Sequence, residues 1–170
     1  MLTIVGRAMK IGIEWHFWFG FRDSSFRWID IRLFHFDENE SNHKIMDELI
    51  SNKWYRTGYI GGPQFDDKYP VHGPYNLENI NFNSYSKCTD MDAIKSINTF
   101  CCLYKSPPSE NVFSDINSTV IRRFKEATDI YRLKKNKKNE IEVNVLEEYR
   151  EYIAINKNFN ELALVVAAID

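Results

Sequence analysis

From Ile11 to Phe21 every second position is apolar: Ile11, Ile13, Trp15, Phe17, Phe19 and Phe21. That alternation is the mark of a half-buried β-strand. A second row, Ile29, Ile31 and Leu33, follows Asp23, Ser24 and Ser25. If those three residues form the loop, Ile31 falls opposite Phe17, Ile29 opposite Phe19 and Leu33 opposite Trp15, with both rows on one face; His35 then comes opposite Ile13. A slip of one residue would press Arg32 onto Phe17 and Asp30 onto Phe19, at the cost of desolvating two charges. The reverse face of the hairpin carries Glu14, His16, Trp18, Phe26, Trp28, Asp30, Arg32, Phe34 and Phe36. Such a mixture of rings and charges is either roofed by further elements or bared as a binding face.

The period changes downstream. Ile45, Met46, Leu49 and Ile50 have helical spacing behind the acidic "DENESN", which predicts a helix over 43–52. "TDMDAIKSINTFCCLYK" predicts a second helix over 90–104, capped by Thr89 or Asp90, although Ile97, Thr99, Cys101 and Leu103 also alternate as a strand would. A stripe of Ile116, Val120, Phe124, Ala127 and Tyr131 behind Ser114 or Asp115 predicts a third over 115–133. "KKNKKN" reads as a solvated basic turn, Ile141, Val143 and Val145 as a strand, 146–155 as helix or strand, and "ELALVVAAI" as a buried strand. The segment 55–86 holds four of the seven glycines and three of the five prolines without sustained periodicity, which predicts a long loop with a task of its own. Together these elements predict one α+β domain over 1–170, an antiparallel sheet with a central N-terminal hairpin packed by several helices.

Composition narrows the function classes. A chain of 170 residues with 44% hydrophobic side chains can bury a core without disulfides or metal. The net charge of −2 supplies no cationic field for nucleic acid. Cys88, Cys101 and Cys102 are odd in number and lack a C-x-x-C spacing, which fits a reducing compartment. "MLTIVGRAMK" is no convincing signal peptide, and "LALVVAAI" is far shorter than the ~20 residues of a membrane span. A cytoplasmic protein without membrane association is expected, with residues 1–8 a dispensable extension ahead of Met9 and Lys10.

The sequence offers little chemistry. His16, His35, His43 and His72 are scattered, so no metal site is expected. There is no G-x-S-x-G elbow, and "GYIGGP" lacks the patterns of a phosphate loop and is followed by Pro63 rather than a helix. Neither cofactor nor catalytic residue is expected. An acid–base cluster of Glu14, His16, Asp30 and Arg32 on one hairpin face keeps an enzyme as a third reading. The aromatic "SFRWIDIRLF" keeps a nucleic-acid-binding sheet as the second, although Asp23, Asp30, Asp37, Glu38 and Glu40 offset its arginines.

Protein recognition comes first. Tyr55, Tyr59, Tyr69, Tyr75 and Tyr85, set among Gly, Asn and Pro, are the residue choice of binding loops, where stiff rings supply area at low entropic cost. Asp66 and Asp67 stand at the centre of that loop, where a carboxylate pair could occupy a phosphate's place in a cationic active site. The mild acidity, the Asn and Lys content, the crowded aromatics and the lack of catalytic motifs resemble the immunity proteins of bacterial toxin systems, including contact-dependent growth inhibition. The resemblance concerns general character along the whole chain and implies a protein that binds a cognate, basic toxin, often a nuclease, and blocks its active site. The expected interface is Tyr59, Asp66, Asp67 and Tyr69, with Trp18, Trp28 and Asp30 joining if the second hairpin face is uncovered.

Overall fold

The computed structural model describes residues 9–37, 40–56, 71–142 and 146–170. Strands β1 (Ile11–Gly20) and β2 (Arg27–Phe36) form the expected hairpin. Helix α1 (Asn42–Ser51) follows, then the two-residue strands β3 (Val71–His72) and β4 (Tyr75–Asn76), β5 (Tyr85–Cys88) and helix α2 (Asp90–Cys101). Helix α3 (Glu110–Ile116) runs through a π-turn at Asn117–Ile121 into α4 (Arg122–Glu126), and strands β6 (Asp129–Leu133), β7 (Glu148–Asn156) and β8 (Glu161–Ile169) complete the fold. Six strands make one antiparallel sheet in the order β1-β2-β8-β7-β6-β5, so the architecture is α+β.

The hairpin register is the one that alternation predicts: Phe17 pairs with Ile31, Phe19 with Ile29 and Trp15 with Leu33. Its place in the sheet differs. The hairpin stands at one margin, with β1 outermost, and β8 and β7 take the centre. β8 can do so because Leu162 to Ile169 are apolar on both faces, whereas β2 and β1 carry charges that need access to a surface or to partners. The row from Ile11 to Phe21 also changes face. A bulge at Glu14 places Ile13 opposite Phe34 and Gly12 opposite His35, so Ile11 and Ile13 lean on one core while Phe19 leans on the other.

Both faces of the sheet are covered. On one, Ile29, Ile31, Leu33, Val165 and Tyr152 pack against Ala93, Ile97 and Phe100 of α2 and against Ile116, Val120 and Phe124 of the α3–α4 helix. On the other, Phe34, Phe36, Leu164 and Ile153 pack against Ile45, Met46 and Leu49 of α1 and against Tyr55, Tyr75, Leu77 and Ile80. The reverse face of the hairpin is therefore roofed over Trp28, Asp30, Arg32, Phe34 and Phe36.

Local chemistry explains the helix ends. Ser41 accepts from the Lys44 amide and Thr89 from the Asp92 amide, so α1 and α2 begin where caps permit. The third helix starts earlier than the stripe suggests, at Ser109, whose hydroxyl accepts from Val112. It ends at Glu126 instead of running to 133. Ile130, Tyr131 and Leu133 continue as β6, where they pair with β7 and β5. The C-terminal carbonyls of α2 are met by the buried Arg27 guanidinium, which donates to Phe100 O at 3.0 Å and Cys101 O at 2.8 Å, and also to Ser106 O. Arg27 is held in turn by Asp23 at 2.8 Å; hydrogen bonds from the Ser25 hydroxyl and from Arg27 keep that carboxyl far below the usual carboxylate range. This links the hairpin loop to α2. Segment 146–155 resolves as the strand β7, and the 55–86 segment contains β3, β4 and the start of β5. Val143 and Val145 lie outside the described residues.

Candidate partner-binding edge

Strand pairing decides which backbone groups of β1 are satisfied. In an antiparallel pair, residues alternate between pointing their N–H and C=O at the partner and pointing them away. The Phe21 amide donates to Arg27 O at 3.1 Å, so the odd residues Phe19, Phe17 and Trp15 turn their polar backbone toward β2. The opposite side of β2 agrees, because the Phe36 amide donates to Asn160 O and the Asp170 amide to Phe26 O, leaving β2's even residues to β8. His16, Trp18 and Gly20 therefore direct their N–H and C=O groups outward, along an edge that no described strand covers.

The side chains around that ladder are rings. Trp15 is 62% exposed and Trp18 61%, and Phe17 is 37% exposed; the Trp15 and Phe17 rings stack with centroids 6.3 Å apart. Trp15 and Phe17 project on the α2 side of the sheet, Trp18 on the α1 side. Trp18 lies along its own strand, with the indole over Gly20, where a Cβ would run into the six-membered ring. Gly20 thus lets an exposed indole rest flat beside the open edge.

Beneath Trp18 the α1 face holds a line of charge. Trp18 pairs with Asp30, Asp30 with Val166 and Val166 with Glu151, straight across four strands. Asp30 is only 3% exposed and receives His16 Nε2 at 2.5 Å and Arg32 Nε at 3.0 Å; Arg32 also donates to Trp54 O. A carboxylate removed from water needs such partners. Two strands further in, the buried Glu151 accepts from the Tyr149 hydroxyl at 2.6 Å, from the Tyr85 hydroxyl and from His72 Nε2 at 2.5 Å. His72 Nδ1 lies 2.5 Å from Tyr55 O, and the Tyr55 and His72 rings stack at 3.7 Å. Gly73, at φ +52°, passes so close beneath the Tyr149 ring that a side chain there would collide with it. Burial alone would raise the Glu151 carboxyl, but the His72 ring and the two hydroxyls more than offset this and lower it. Burial and the neighbouring Glu151 charge push the Tyr85 phenol well above its ordinary value.

This cluster has catalytic residue types but spends both imidazole nitrogens on internal acceptors within a closed core. Among the described residues, no three metal-type ligands converge. His43 sits far from the edge in sequence and stacks on Phe82 with centroids 4.5 Å apart.

The residues expected at an interface divide into three groups. Trp18 is exposed on the edge. Trp28, 5% exposed, donates its indole N–H to Asp170 Oδ1 at 2.9 Å, and Asp30 is equally sealed, so both support the face from beneath instead of presenting it. Tyr59, Asp66, Asp67 and Tyr69 lie outside the described residues. Of the other loop tyrosines, Tyr55, Tyr75 and Tyr85 are buried and belong to the core. Alternation puts Trp15 and Phe17 on the apolar face of a half-buried strand, but it marks a face without saying whether a helix reaches it, and here none covers these two rings.

No family model and no curated protein matches the chain. Among solved structures it is similar to citrus MAF1, at 9% identity and a TM-score of 0.43, over 87% of this chain and 90% of that one. No described helix is long and apolar enough to cross a membrane. The reading of the site therefore rests on its own geometry.

Proposed function

We propose that this protein is a recognition module without catalytic role, which binds another polypeptide through the open edge of β1. One observation carries the reading: Trp15, Phe17 and Trp18 are exposed on the strand whose outer backbone groups have no described strand partner. Unpaired backbone supplies affinity for an extended segment, and flanking rings supply area and choice of sequence. The resemblance to toxin-neutralising immunity proteins supplies the partner class, a bacterial toxin whose active site the bound module blocks.

Growth protection tests this. Cells carrying each member of a panel of contact-dependent toxin domains would make either the wild-type chain or Trp18→Lys. The expected result is survival against one toxin with wild type, lost in the variant through a weakening of at least about 2 kcal/mol, as for a central tryptophan in an interface. Survival against none of them, together with binding to single-stranded DNA that falls steeply with salt, would replace this reading with nucleic-acid recognition.

A further inference from the structure

The two margins of the sheet are built differently. β5 is four residues long, and Lys87 on it pairs with Asp129 at 2.5 Å; a short, charged strand discourages pairing with another chain. β1 is ten residues long, and its one charged side chain other than histidine is Glu14, at the bulge. That bulge interrupts the N-terminal half and leaves Trp15 to Gly20 in unbroken register with β2, rich in rings and with no described strand on the outer side. A long open edge of this kind is a template for a further strand.

We propose that a second copy of this chain closes the edge when no other partner is bound, β1 running antiparallel to β1 about a twofold axis at Trp18. The inference deepens the reading of β1 as the binding edge and rests on it. Self-pairing about a twofold requires a strand that complements its own reverse. Because the outward groups belong to His16, Trp18 and Gly20, an axis at Trp18 joins Trp18 to its copy and His16 to Gly20, using all three residues. The same register sets Phe17 opposite Phe19, so rings meet rings, while Trp15 falls opposite Phe21, which is itself buried against Phe100. Toward its ends the register brings Glu14, at the bulge, near Arg22, which follows the strand at φ 53°. Both are exposed, and neither has an ion-pair partner among the described residues. Axes at His16 or Phe17 instead face Glu14 with Trp18 or Gly20 and leave both charges unmatched. The pairing would merge two sheets into one and hide the rings until a partner with a better-fitting strand displaces the copy.

Sedimentation equilibrium and amide exchange on the full chain test it. Wild type is expected to dimerise, with exchange at the His16, Trp18 and Gly20 amides slowing as concentration rises. Trp18→Lys should abolish the dimer. Glu14→Arg and Arg22→Glu should each weaken it about tenfold, since each change acts twice across the axis, and the combined exchange Glu14→Arg with Arg22→Glu should restore it. The charge variants lie on exposed positions, so folding is preserved. A wild type that stays monomeric, or a dimer indifferent to all of these substitutions, overturns the self-pairing. If the monomeric wild type still protects against a toxin and Trp18→Lys does not, only the self-pairing falls; if neither protects, the β1 reading falls as well.

Discussion

β1 and β8 are both long, strongly apolar strands of one sheet, and they have opposite fates. β8, "ELALVVAAI", is sealed from Leu162 to Ile169, while β1, "IGIEWHFWFG", bares two tryptophans and a phenylalanine. The more hydrophobic side chains by size are the more exposed. Position in the sheet decides this: β8 has strands on both sides and helices or loops on both faces, whereas β1 has one described neighbour, and of Trp15, Phe17 and Phe19 only Phe19 packs against the α2 core. Small residues such as Ala163, Ala167 and Ala168 let the covering layers approach β8 closely. Large rings would hold them off.

The comparison breaks most visibly at the centre. Val165→Asp would place an unpartnered carboxylate between two packed layers and should cost at least about 4 kcal/mol, enough to unfold the chain in a denaturant titration. A folded protein after that change would mean that β8 is not a core strand. Next comes the polar part of the interior. Glu151→Gln removes the carboxylate facing His72 and should cost about 3 kcal/mol at neutral pH. Its acid dependence carries a sign. The folded Glu151 carboxyl lies below its unfolded value, so its stabilisation is present above the unfolded value and disappears as pH falls through the folded one. Wild type should lose stability across that acid range, and Glu151→Gln should show a flatter profile; parallel profiles would remove Glu151 from the linkage.

Smaller effects sharpen the view of the edge. Gly20→Ala forces the Trp18 indole off its strand, and since the indole can swing into solvent the cost should be about 1 kcal/mol or less, with a red shift of Trp18 fluorescence in a background where the other tryptophans are silent. Trp15→Ser should change stability by no more than about 0.5 kcal/mol while weakening partner binding. A loss of several kcal/mol from Trp15→Ser in thermal unfolding would show that this ring belongs to the core after all.

Several of these features were legible in the chain. The hairpin register from Trp15 to Gly20 followed from alternation and the Asp23–Ser25 loop, because a slip of one residue would have set Arg32 against Phe17 and Asp30 against Phe19. Helices α1 and α2 followed from spacing and caps, and β8 from its unbroken apolar run. The third helix misled because Tyr131 continues the stripe of Ile116, Val120 and Phe124 while facing the opposite core from β6. The bulge at Glu14 left no mark in an alternation that runs unbroken across it. The Glu151–His72 pair was out of reach, since its members are 79 residues apart and neither stands in a motif.

The alternation of side chains along the chain settled which residues can share a face, since successive residues of a strand point to opposite sides whatever lies around them. It left open whether the second hairpin face, with its mixture of rings and charges, is roofed or bared. What only tertiary structure decided is which strand stands at the margin. That depends on pairings such as Arg27 with Ile169 and Asp129 with Ile155, formed between distant segments, and the burial of an apolar residue depends on the layer that reaches it as much as on its own hydrophobicity.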